Sequence, residues 1–286
     1  MKKWVALLLG AILVVSMTAC GDKKDAAGTN SSSTAQTTTD TEKKEASLPS
    51  VDELIQKSID ASKSLKNFAM EAQIKTDLTI SQGEQKQEQN TEMKLKSDIT
   101  KEPFNLYQEM TMTVTGQGEQ KIVQYISKDG IYSQMNGQWT KMPDDMKAQV
   151  LEGAEKGASP EQSLEQFKSI AKDTKVSEAG NDYILTADLS GDGMKELAKS
   201  LMSQSGSNSN PQMAAMLDQM NIKSIKMTYG VNKDTHLPTK SDVDMTMDVE
   251  EQGQKVEIHM VMNSTFSKHN EIGEIKVPKE VLDSVK

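Results

Sequence analysis

Hydrophobic and polar residues alternate along much of the chain from residue 68 onward. In the first such segment, apolar residues take most even positions from Phe68 to Ile80, and charged or polar residues take the odd positions from Glu71 to Thr79. Successive side chains of a β-strand point to opposite faces, so this pattern predicts a strand with one buried face. The same alternation predicts further strands around residues 93–99, 104–114, 122–127, 131–135, 183–189, 225–231, 243–249 and 256–266.

Segments with helical spacing lie before and between these strands. In residues 51–67, Leu54, Ile55 and Ile59 recur at near-helical spacing behind an acidic first turn. Further helices are predicted over residues 144–155, 160–172, 192–201 and 211–220.

The strands are apolar on one face only, and short turns join most of them. This combination predicts one antiparallel sheet with a single buried face, which the helices must cover. A sheet of roughly eight long strands twists and curls. We therefore predict an α+β fold: a large curved antiparallel sheet, or half-open β-barrel, with helices covering the concave face. A sandwich of two sheets is the alternative fold.

The N-terminus has a different pattern. Two lysines precede an apolar run from Trp4 to Val15, which is typical of a signal peptide and too short to span a membrane. The sequence MTACG at residues 17–21 resembles the bacterial lipobox. That resemblance implies cleavage before Cys20 and lipid attachment to Cys20. Ordinary signal cleavage, with Cys20 incidental, is the alternative.

Residues 21–48 are almost all small or polar, and none is aromatic. Such a segment cannot bury enough apolar surface to fold, so it predicts a flexible tether with a reach of roughly 30 Å. We expect a signal peptide over residues 1–19, a lipidated Cys20 and tether over residues 20–49, and one β-rich domain over residues 50–286.

Composition narrows the classes of partner. The net charge is −9, and all 33 basic residues are lysines. Without arginine, and with this negative charge, the chain is not suited to binding nucleic acid. The single cysteine excludes a disulfide framework and a cysteine metal site.

Methionine is unusually abundant, with 19 residues against 4 phenylalanines. Met is flexible and polarizable, so it fills irregular cores and also lines surfaces that adapt to varied apolar ligands. The sequence therefore leaves two interpretations open: a solid core, or an apolar cavity for an acyl chain. Six methionines at inward strand positions are the candidate cavity lining: Met110, Met112, Met245, Met247, Met260 and Met262.

Catalytic chemistry has little support. The chain contains no Gly-x-Ser-x-Gly or His-Glu-x-x-His motif, and the three histidines are isolated: His236, His259 and His269. We predict a protein that is not an enzyme and needs no cofactor.

Two sets of aspartates could attract calcium, although neither has EF-hand spacing. Asp242, Asp244 and Asp248 share one strand face, which strand alternation alone explains. Asp188 and Asp192 flank a turn, where a helix cap explains them. We predict no metal site.

Three segments carry a resemblance to a known group of proteins. They are YISKDGIYSQMNGQWTKM at residues 125–142, VNKDTHLPTK at residues 231–240 and IKVPKEV at residues 275–281. The chain resembles LolA/LppX-type periplasmic and surface lipoproteins and, more narrowly, an uncharacterised group of them in Firmicutes. The resemblance implies a half-open β-barrel with a hydrophobic cavity for lipid or lipoprotein acyl chains. It identifies no functional residue.

Two hypotheses for function follow. The first is a non-enzymatic lipoprotein, anchored through Cys20 at the extracytoplasmic face of the cell membrane, that binds a lipid or other hydrophobic ligand in an apolar cavity. The second is an envelope interaction or assembly protein with a solid core and no ligand. The sequence identifies no protein partner for either.

Overall fold

The computed structural model describes residues 48–83, 85–190, 194, 197, 220–251 and 254–285. The predicted signal peptide, Cys20 and almost all of the tether lie outside the described residues. Most of the two helices predicted over residues 192–201 and 211–220 lies outside them as well.

Within the described residues, both ends are defined for four α-helices and eleven β-strands. The helices are α1 (Val51–Lys63), α2 (Asp144–Gly157), α3 (Pro160–Ser169) and α4 (Lys279–Ser284). The first six strands are β1 (Asn67–Gln82), β2 (Gln85–Lys101), β3 (Phe104–Val114), β4 (Gly118–Ser127), β5 (Gly130–Met135) and β6 (Gln138–Lys141). The other five are β7 (Thr174–Ala179), β8 (Asp182–Leu189), β9 (Met220–Asn232), β10 (Pro238–Glu251) and β11 (Gln254–Ser267).

All eleven strands belong to one curved, unclosed antiparallel sheet. Its order is β6-β5-β4-β3-β2-β1-β11-β10-β9-β8-β7, so β1 is central and pairs with both β2 and β11. The helices cover the concave face, which we call the inner face. The predicted fold class is confirmed, and the alternative of a two-sheet sandwich is wrong.

Local sequence explains several boundaries. Ser50 begins α1 because its hydroxyl accepts a hydrogen bond from the Glu53 amide at 3.2 Å. In the β5–β6 hairpin, Met135 pairs with Gln138, and the two turn residues, Asn136 and Gly137, have φ of 52° and 79°. Positive φ at both positions is the geometry that favours Asn-Gly in tight hairpins.

Some predicted elements were wrong in number or extent. The strand count was too low because the two edge strands, β6 and β7, have four and six residues and too little alternation to be recognised. Helix α1 ends at Lys63, not at residue 67, because Asn67 already pairs with Thr100 in the sheet. Met220, predicted to end a helix, is the first residue of β9.

Two hydrophobic cores lie on the inner face. The first core joins α1 and α3 to β8 and β9, and its central residues include Leu54, Phe167, Leu185 and Tyr229. The second core joins β1–β5 to α2, and its central residues include Phe68, Ile99, Leu106, Ile126 and Ile131.

One ion pair connects the sheet to both helices of the first core. Lys101 on β2 lies 2.5 Å from the Glu161 carboxylate of α3, and the two side chains are 24% and 19% exposed. The Lys101 ammonium also donates to the Ser62 carbonyl of α1 at 2.8 Å. Burial raises the pKa of Glu161, but hydrogen bonds from Lys101 and Ser159 outweigh burial, so the pKa is lowered.

Candidate ligand-binding face

Charged and uncharged side chains are segregated between the two faces of the sheet. Along β1–β5, residues 222–231 of β9, residues 241–249 of β10 and β11, the inner-face positions carry one charged residue, Lys101. The ion pairs between neighbouring strands lie on the outer face, for example Lys96–Glu71 at 3.7 Å and Lys223–Asp248 at 2.9 Å. Away from its helix-covered end, the inner face is therefore electrically neutral.

An apolar row crosses six strands of this neutral face. Paired neighbours follow one another from β3 to β9 in the order Met112, Met93, Ile74, Met262, Val243 and Met227. Met110 and Leu95 pair in the next row on one side, and Met245 and Met260 pair in the next row on the other. We call these ten residues the methionine strip. At roughly 4.8 Å per strand, the six-strand row is about 24 Å wide.

The methionine strip is only partly covered. Met227 is buried in the first core, and Val243 and Met245 pack against that core. Met227 apart, the residues of the strip are half-buried. An apolar surface of this size that keeps partial access to solvent can hold an apolar ligand.

All six methionines predicted from the sequence lie on the inner face, but not as one group. Met245 and Met260 are directly paired, and Met262 follows them on β11. Strands β1 and β2 separate these residues from Met110 and Met112 on β3. Met247 is 7% exposed and lies outside the strip. Two methionines of the strip, Met93 and Met227, were missing from the candidate set although both stand at inward positions of their strands.

A row of uncharged polar residues lies beside the methionine strip. Ser133, Gln124, Gln108 and Ser97 are paired neighbours from β5 to β2, and we call them the polar row. The Gln124 amide donates to the Ser133 hydroxyl at 3.1 Å, and Ser97 is 5% exposed. The polar row separates the second core from the strip. Sequence reasoning missed it, although Gln108 and Gln124 interrupt runs of apolar residues at inward positions.

The histidines and the acidic group Asp242, Asp244 and Asp248 lie away from this site. On the outer face, His259 contacts Asp244 at 2.9 Å, and Asp248 lies 2.9 Å from Lys223. His236 lies in the turn after β9, and burial lowers the pKa of His269. Within the described ranges, no cluster of three or more His, Cys, Asp or Glu side chains is arranged to hold a metal ion.

The described helices are also short. None of them is long and apolar enough to cross a membrane.

Several solved structures resemble this chain weakly. LprF from Mycobacterium bovis is 11% identical, with a TM-score of 0.40, and the match covers 80% of this chain and 96% of that one. A LolA superfamily protein from Nitrosomonas europaea is 9% identical, with a TM-score of 0.21 and coverage of 82% and 97%. A putative outer membrane lipoprotein-sorting protein domain from Vibrio parahaemolyticus is 9% identical, with a TM-score of 0.24 and coverage of 74% and 89%. These likenesses are too weak to assign a function or a ligand.

Among curated proteins, no sequence matches the chain. A family model does match, over residues 50–286, which is the whole of the domain predicted from the sequence. The chain therefore belongs to DUF6612, a family of unknown function.

Proposed function

We propose that the protein is a membrane-tethered binding protein that holds a lipid or another hydrophobic ligand against the inner face of its sheet. The observation that carries this proposal is the methionine strip: ten apolar residues across six strands, half-buried for the most part, in a part of the inner face without charged residues. Apolar residues of a solid core would be fully covered, as those of the first core are.

The energetics of burial support ligand binding on such a surface. Each methylene group transferred from water to an apolar surface contributes about 0.8 kcal/mol. An acyl chain that covers part of the strip thus gains enough free energy to bind without an ion pair. Flexible methionines also adjust to chains of different length and shape.

The proposed anchor is the lipid on Cys20. Two or more acyl chains on one residue give stable membrane attachment, whereas a single chain binds marginally. In this proposal the signal peptide directs export, and the polar tether after Cys20 holds the domain at the extracytoplasmic face of the cell membrane. Replacement of the anchor by Cys20→Ala should release the protein from the membrane fraction, and continued membrane association would contradict the lipoprotein assignment.

A second candidate function rests on a different observation. Three aromatic rings form a cluster on the outer face of β3, β4 and β6: the Tyr107 and Tyr125 centroids are 4.9 Å apart, and those of Tyr125 and Trp139 are 5.8 Å apart. Aromatic residues are enriched at protein interfaces. This cluster favours an envelope interaction protein that uses its outer face.

Substitutions on adjacent residues distinguish the two functions. The full chain with Cys20→Ala is purified without detergent and analysed by native mass spectrometry for bound lipid. Adding Met112→Asp places a charge in the strip, and we expect loss of the bound lipid with retention of the circular dichroism spectrum. Thr113→Asp places the same charge on the outer face of the same strand and serves as the matched control.

A lipid-bound control and a lipid-free Met112→Asp variant would support the binding function. A parent chain that is folded, lipid-free and unresponsive to added lipid would contradict it and would favour the outer face.

A further inference from the structure

The polarity of the inner face bears on the chemical class of the ligand, provided that the proposed binding function is correct. A lipid on the methionine strip has its headgroup at one edge of the strip. One edge is formed by the polar row, because Gln108 is two residues from Met110 on β3 and Ser97 is two residues from Leu95 on β2. Two residues along a strand span roughly 7 Å.

Neutralising an anionic headgroup there would need a cation. Lys101 is the single charged residue on the described inner face of β1–β5, and its ammonium is already held by Glu161 at 2.5 Å and by the Ser62 carbonyl at 2.8 Å. A phosphate or carboxylate that moved from water to the polar row would find no described cation with which to pair. Burial of an unpaired charge is strongly unfavourable.

The lysines of α2, which packs on the second core, do not change this balance. Lys147 lies 3.9 Å from Asp144, and Lys156 lies 2.5 Å from Glu152. Each of these ammonium groups has a carboxylate partner on its own helix.

The polar row instead matches uncharged oxygen groups. The amides of Gln108 and Gln124 both donate and accept hydrogen bonds, as do the hydroxyls of Ser97 and Ser133. Ester carbonyls accept such bonds, and alcohol groups accept and donate them. A binding site built from these groups discriminates by hydrogen bonding rather than by charge.

We propose that the ligand is an electrically neutral acylglycerol, with its ester and hydroxyl oxygens on the polar row and its acyl chains on the methionine strip. Gln108 and Gln124 bind the glycerol end. The acyl chains then lie first over Met110 and Leu95, which are next to the polar row, and continue over Met112 and Met93.

The test compares three lipids whose hydrocarbon chains all derive from oleic acid. The Cys20→Ala full chain is incubated with equimolar dioleoylglycerol, dioleoylphosphatidylglycerol and oleate, and bound lipid is quantified by native mass spectrometry. We expect dioleoylglycerol to be bound at least about tenfold over either charged lipid, in line with the rejection of ligands that leave a buried charge unpaired.

The outcomes separate this inference from the proposed function. Equal binding, or a preference for either charged lipid, overturns the neutral-ligand inference and leaves the hydrophobic-binding function intact. Binding of none of the three overturns the function, and the inference with it.

Two variants test whether the polar row determines the preference for dioleoylglycerol. Gln124→Met keeps the side-chain length and removes the amide, and we expect the preference for dioleoylglycerol to fall about tenfold while oleate still binds. Gln108→Glu introduces a negative charge while keeping nearly the same side-chain shape, and it should reduce dioleoylglycerol binding. Gln134→Glu, on the outer face of β5, should not. Unchanged selectivity in a folded Gln124→Met variant would contradict the assignment.

Discussion

The two ends of the inner face use the same strand alternation but are packed differently. At the end covered by α1 and α3, the inward residues are aromatic or aliphatic and almost fully buried, as with Leu185 and Tyr229, both at 0% exposure. In the methionine strip, the inward residues are mostly flexible and half-buried. One end is therefore a core that stabilises the sheet, and the other is a surface suited to binding.

The largest expected loss of stability comes from a substitution at the end covered by α1 and α3. Phe167 packs against Tyr229 with a centroid distance of 5.8 Å, and removing its ring leaves a cavity. We expect Phe167→Ala to lower the free energy of unfolding by about 3–5 kcal/mol. Urea denaturation should show a much smaller loss for Met112→Ala, because the strip is half-exposed. Equal losses would mean that the strip is also a solid core.

The next largest loss of stability is expected when the Lys101–Glu161 ion pair at the covered end is removed. With Lys101→Met, Glu161 keeps its charge but loses its main partner, so we expect a loss of about 2 kcal/mol in the free energy of unfolding. Lys96→Met is the matched control, because its pair with Glu71 lies on the exposed outer face. That control should change stability by less than about 1 kcal/mol.

The pH dependence of stability tests the same contact. The folded pKa of Glu161 lies below its ordinary value of 4.5. A lowered carboxylate pKa stabilises the fold fully above the unfolded value, and the contribution is lost as the pH falls through the folded value. Between about pH 5 and about pH 3, the wild-type chain should lose more unfolding free energy than Glu161→Gln. Parallel curves for the two proteins would show that the contact contributes nothing.

The smallest effect is expected when the same exchange, Met to Leu, is made in the first core and in the methionine strip. Met227→Leu changes a side chain packed in the first core and should cost up to about 1.5 kcal/mol, as volume-conserving core exchanges do. Met112→Leu should change the free energy of unfolding by less than about 0.5 kcal/mol. A larger cost at Met112 would indicate tight packing of the strip.

Much of the fold could be predicted from the sequence because alternation is a local signal. The long strand β1 and its inward residues, from Phe68 to Ile80, follow directly from the period of two. The placement of the methionines on the inner face follows from the same signal. Strands β6 and β7 could not be recognised, because short edge strands depend on pairing with a neighbour and not on their own pattern.

The division of the inner face could not be predicted, because it depends on tertiary pairing. Register brings Met93 next to Met112 and places Gln108 beside Gln124, and neither neighbour is close in sequence. A glutamine at an inward position is a weak signal by itself. Only the pairing of these two glutamines with two serines across β2–β5 makes a polar row.

The most direct test of the central claim maps where a ligand lies. The Cys20→Ala full chain, which lacks the proposed anchor lipid, is photolabelled with a diazirine-bearing acyl chain, and the labelled peptides are sequenced by mass spectrometry. A ligand on the methionine strip should label inner-face residues of β2, β3 and β11, with Met93, Met112 and Met262 foremost, and Met112→Asp should abolish the label. Labelling confined to the outer-face aromatic cluster around Tyr107 and Trp139, or spread without preference over the surface, would contradict the claim.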